Sequence, residues 1–163
     1  MLCGMIFSEC SMTFSDNGKA PSVAVVEHQL LEFERLLSYR CKAENSEVPF
    51  MIRSIKKNID ALDLKICDPI IIGMHLNETE FIIPVDKAVN SGKYFSYKAL
   101  FKLTNAVRQR HYGAYERIDE SIAILQKYIS DNSLNPDSNP YVLVRNLERE
   151  VFDIFISISE NIL

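Results

Sequence analysis

A chain of 163 residues, 47% apolar and 25% charged, has the size and balance of one globular domain, 1–163, that removes roughly two-thirds of its unfolded surface from water. No uncharged apolar run approaches the roughly 20 residues a membrane helix needs. A net charge of −4 and a pI near 5.4 are unlike the basic domains that grip nucleic acid.

Residues 1–21 alternate partly (Ile6, Ser8, Cys10, Met12, Phe14) before an Asp16-Asn17-Gly18 turn signal. They read as an edge strand or as a loose leader. No Lys or Arg precedes their apolar part and Glu9 interrupts it, which argues against a secretory signal. A cytoplasmic protein with free thiols is expected, since the four cysteines form no C-x-x-C pair.

From Ser22 to about Cys41, Val26, Leu30, Phe33 and Leu37 recur at spacings of three and four, which predicts a helix. A second helix is expected over 49–63, with Pro49 suited to a first-turn position and Ile52, Ile55, Ile59 and Leu62 on its apolar face. The clearest β signal follows at about 69–85. Two β-rich runs bracket Asn77-Glu78-Thr79 and read as a hairpin, with Phe81, Ile83 and Val85 on one face and Pro84 at a strand end or edge.

Between about 97 and 130 the apolar residues Leu100, Leu103, Val107, His111, Ala114, Ile118, Ile122, Leu125 and Ile129 hold one helical phase through Gly113. Glycine inside a helix costs only about 1 kcal/mol relative to alanine. One unbroken helix is therefore expected there, with Gly113 a weak point or a close-packing position. After the turn-rich loop 135–140, a last helix over 141–161 carries Val144, Leu147, Val151, Ile154 and Ile158 at 3-4-3-4 spacing. That 144–158 seam would pack in a bundle or form a homodimer contact. The expected fold is a mainly α helical bundle built on the 97–130 helix, with a single β-hairpin. It becomes α+β if the N-terminus adds a strand. No internal repeat is visible in the sequence.

Chemistry is sparse. The five glycines stand isolated, so neither a dinucleotide fingerprint nor a phosphate-binding loop can be drawn. His28, His75 and His111 share no metal-ligand spacing with each other or with a cysteine. No catalytic residue, metal or cofactor is assigned. His111 lies in the apolar stripe as a core-edge histidine with hydrogen-bonded nitrogens, and it is the only anchor for an enzyme reading.

The densest stretch, 108–120, supplies Arg108, Arg110, Tyr112, Tyr115, Arg117 and Asp119 as candidate partner-binding residues. Residues 87–117 carry seven basic side chains and one acidic, between acidic flanks. The expected function is a non-enzymatic protein-binding module of the inhibitor, immunity or antitoxin-like, or chaperone or adaptor type, acting on another protein through a charged helical surface. The alternative is a nucleic-acid-binding protein that uses the basic, aromatic segment 87–117.

Overall fold

The structure, a computed structural model, describes residues 24–67 and 69–159. The expectation for 1–21 therefore lies outside the described residues. The chain builds a seven-stranded antiparallel sheet and two short helices. In order these are β1 (Val26–Cys41), α1 (Val48–Ala61), β2 (Ile71–Met74), β3 (Thr79–Pro84) and β4 (Ser96–Tyr112). A 3-10 turn (Tyr115–Arg117), α2 (Ile118–Asp131), β5 (Asn135–Pro136), β6 (Tyr141–Asn146) and β7 (Val151–Ser159) follow.

The order of elements states a duplication. β1-α1-β2-β3 is repeated as β4-α2-β6-β7, with α1 and α2 both 14 residues long and starting at 48 and 118. The pairing respects a local two-fold axis. Ile71 pairs with Leu143 and Gly73 with Tyr141, so an offset of about 70 positions carries each pair into the other. Left-handed residues obey the same offset, Arg35 with Asn105 and Asp63 with Ser133. The six main strands run β1-β3-β2-β6-β7-β4, and β4 also pairs with β1, which closes the circuit.

One face of the sheet packs on the helices. Ile52 and Ile59 of α1 and Ile118, Ile122 and Leu125 of α2 meet Phe81, Ile83, Val107 and Phe152 there. The other face holds a second apolar cluster that includes Leu36, Ile71, Ile82, Leu143 and Phe155. Strands buried on both faces lose hydrophobic alternation, and every residue of β7 from Phe152 to Ile158 is buried.

That geometry corrects the helical bundle. The sheet, not the helices, dominates. The stretch 22–41 is mainly strand β1, and 97–130 is strand β4, a turn and α2. In each long strand a residue with positive φ, Arg35 (55°) or Asn105 (49°), interrupts the alternation. Phe33 and Leu36, like Leu103 and Ala106, then fall on the same face at a spacing of three. A spacing of three beside spacings of four imitates a helix. Gly113 breaks the chain after all. Its φ of +118° turns it out of β4, and nothing lies within 4 Å of where a Cβ would sit.

The 141–161 helix is in fact the β6–β7 hairpin, turning through Leu147–Glu150. The 144–158 seam is consequently no dimer surface, because Val144, Leu147, Ile154 and Ile158 are interior. The 49–63 helix corresponds to α1 with Pro49 in its first turn, and the 69–85 hairpin to β2 and β3, with β3 ending at Pro84. No helix among the described residues is long and apolar enough to cross a membrane.

Candidate functional site

The face of the sheet away from the helices carries two carboxylates where apolar side chains would be expected. Strand register sets two rows across it. One runs Arg40–Glu80–Gly73–Tyr141–Phe155–Arg108 and the other Ser38–Ile82–Ile71–Leu143–Asp153–Arg110. The local two-fold exchanges the rows. Ser38, Arg40 and His75 stand 70 positions before Arg108, Arg110 and Arg145, and each trio surrounds its own carboxylate.

Glu80 is buried. Ser38 Oγ donates to its Oε1 at 2.5 Å and Arg40 Nη2 to its Oε2 at 3.3 Å. His75 Nε2 lies 2.8 Å from Oε2, and the Lys98 ammonium donates to Oε1. Burial alone would raise the Glu80 pKa, but bonds from Lys98, Ser38 and His75 outweigh it and bring the value down to about 2. Charged groups survive in an interior only when so paired.

Tyr141 stands beside this centre, edge-on to Phe101 with ring centroids 5.0 Å apart. Burial, with help from the Glu80 charge, lifts its hydroxyl above the usual range. Glycine at 73 permits the close approach. A Cβ there would sit 3.1 Å from the Tyr141 ring and 3.2 Å from His75 Nε2.

From His75 the surface opens into a groove of about 630 Å3. The β1–α1 connection supplies Glu44 and Glu47, the β2–β3 turn Glu78, and the start of α2 Asp119. Lys42, His75, Met74 and Leu76 also line it. Four carboxylates against one lysine make it strongly electronegative, and His75 links it directly to Glu80.

Asp153 is fully buried in the second cluster. Arg110 grips it through Nε (2.7 Å) and Nη2 (3.0 Å), Arg145 through Nε (2.6 Å), and Arg108 Nη1 lies 3.7 Å away. Burial works to raise the Asp153 pKa, but the hydrogen bonds of Arg110 and Arg145 hold it below the ordinary carboxylate range.

The six residues singled out in the sequence are separated into several places. Arg108 and Arg110 join the Asp153 cluster, and Tyr112 ends β4, exposed. Tyr115 is buried edge-on against Phe152. Arg117 is exposed and paired with Glu120 at 2.8 Å. Asp119, in the acidic groove, accepts from Asn45 Nδ2 at 2.9 Å. His111 has both ring nitrogens engaged, Nδ1 with Ser121 Oγ (2.7 Å) and Nε2 with the Ala114 carbonyl (3.1 Å).

The basic segment is largely spent inside the protein. Lys87 faces Asp63, Lys98 Glu80, Lys102 Glu32, Arg108 and Arg110 Asp153, and Arg117 Glu120, while Lys93 lies over the Tyr94 ring. Sequence reasoning missed Ser38, Arg40, His75, Glu80, Lys98, Arg145 and Asp153. One signal was present: a lone carboxylate inside an apolar run, Asp153 in VFDIFISI, while Glu80 only borders the run FIIPV.

No family model matches the chain, and no curated protein matches it. Solved structures do. The C-terminal domain of EcmrR superposes with a TM-score of 0.64 at 13% identity, over 85% of this chain and 98% of that domain. EcmrR in complex with DNA gives 0.68 at 14% identity, over 85% of this chain. The match spans 57% of that longer chain, a little over half its length. At such identities the likeness is one of fold. Nothing in the fold or these neighbours supports an inhibitor or immunity protein.

Proposed function

We propose that this chain is a ligand-recognition module of the kind a transcription regulator carries, and that it takes a small organic cation. The observation that carries this reading is the acidic groove of Glu44, Glu47, Glu78 and Asp119, which leads through His75 to the buried Glu80. Lys98 already places an ammonium on Glu80 Oε1, and Lys98 is partly exposed on a flexible stem. A ligand ammonium entering the groove would take over that ion pair, with the Tyr141 and His75 rings beside it to contact a cation's apolar groups. The resemblance in fold to the C-terminal domain of EcmrR, a transcription regulator, supports such a role.

Calorimetric titration with benzyltrimethylammonium at physiological salt tests it, with benzyl alcohol as the uncharged control. The charged probe is expected to bind and the alcohol not. Glu78→Gln with Asp119→Asn should weaken binding about tenfold or more, roughly 1.4 kcal/mol. Equal binding by the double variant would overturn the reading.

A second reading, direct contact with nucleic acid, is favoured by the likeness to a protein solved on DNA. It predicts retention on duplex DNA that falls steeply with salt. The internal pairing of the 87–117 cations works against it.

A further inference from the structure

The arginine cluster is over-supplied for the carboxylate it holds. Arg108, Arg110 and Arg145 surround Asp153, and none of them has a second carboxylate within ion-pair distance among the described residues. One negative charge against three guanidiniums leaves an excess of two positive charges. The matching cluster in the first half is less unbalanced, because Glu80 faces Arg40 and Lys98, and Arg40 also lies 3.8 Å from Glu78. At the two positions where the first half has Ser38 and His75, the second has Arg108 and Arg145.

Geometry leaves donors to spare. Arg145 spends only Nε on Asp153, and the Arg108 side chain makes no hydrogen bond among the described residues. Its Nε is buried without a partner. Burying an unused guanidinium N–H is costly unless an acceptor arrives. The side chains remain 25% (Arg108), 36% (Arg110) and 25% (Arg145) exposed, so an acceptor can reach them from solvent. Phe155, beside Asp153 on the same face, is fully buried and gives the cluster a dry floor. Guanidinium forks match the paired oxygens of phosphate, and two surplus charges match a phosphate monoester dianion.

We propose that Arg108, Arg110 and Arg145 form a phosphate-binding site for a small phosphorylated ligand. This site is distinct from the acidic groove and does not depend on it. It occupies the counterpart of the Glu80 cluster in the duplicated fold.

The test is an NMR titration that follows the arginine Nε–H signals of the full chain with inorganic phosphate, sodium chloride balancing ionic strength. The Arg108 Nε–H signal is expected to shift saturably with phosphate and not with chloride. Arg108→Gln should weaken the phosphate response of the Arg110 and Arg145 signals about tenfold, and Arg40→Gln in the other half should leave it intact. Should Arg108→Gln fail to fold, Arg108→Lys serves, since it keeps the charge and loses the fork. A several-fold weakening is expected from it. No saturable shift with phosphate would overturn the proposal, as would unchanged affinity in the Arg108 variant. Shifts with duplex DNA but not with phosphate would overturn the assignment to a small ligand.

Discussion

Glu80 shows how much one buried group can govern. Its folded pKa of about 2 lies below the ordinary value of 4.5, so its ion pairs stabilise the protein fully above pH 4.5. As pH falls from 4.5 towards 2 that stabilisation is lost. The depression is worth about 3 kcal/mol at neutral pH. Glu80→Gln should lose about that much at pH 7 and flatten the acid limb of a stability-against-pH curve, read by urea unfolding at several pH values. Gly113 makes an independent case. At φ +118° a side chain is strained even in open space, so Gly113→Ala should cost about 1–2 kcal/mol in the same assay. Both residues are visible in the sequence, but their roles are not. Gly113 stands where the apolar phase runs through unbroken, and Glu80 gains its partners only when β1, β3 and the start of β4 come together. Asp153 is comparable, since Arg110 lies 43 positions away.

At the scale of elements, α1 and the short hairpin were legible because each has one dominant local signal. α1 has Pro49 and a clean apolar stripe, and β2–β3 has a polar turn between β-branched runs. The long strands were not, for a physical reason. A positive φ at Arg35 and another at Asn105, the second beside a register shift between β1 and β4, change which side chains face the core by one position. Burial of both faces then removes the alternation that would mark a strand. α2 was found in part, but its start was misplaced by the whole of β4. That start carries a testable weakness. Arg117 is the N-cap, without a side-chain cap bond, and sets a positive charge at the positive end of the helix. Arg117→Ser should raise the thermal midpoint by removing that charge, despite losing the exposed pair with Glu120.

For the whole molecule, the duplication sets where the two buried charge clusters fall. A two-fold fold offers two equivalent positions on the helix-free face, and sequence divergence has given them different charge balances, nearly even at Glu80 and in positive surplus at Asp153. The first, Glu80, is linked through His75 to an acidic groove, and the second, Asp153, is ringed by arginine. The sequence contains the offset of 70 in scattered identities such as Arg40 with Arg110, Ile52 with Ile122 and Lys57 with Lys127, but mismatches such as Ser38 with Arg108 and Gly73 with Leu143 hide it. Only the strand register reveals it. The charge segregation read from the sequence was real, yet most of the 87–117 cations answer carboxylates of the same chain.

The central claim is that recognition occurs in the acidic groove that His75 links to Glu80. Methyl and histidine-ring NMR during addition of benzyltrimethylammonium tests it most directly. Leu76 and Met74 methyls and the His75 ring, which line the groove, should shift together and saturate, while Leu30 and Ile124, exposed elsewhere, stay still. No saturable shift in the groove, or shifts confined to Leu30 and Ile124, would contradict it.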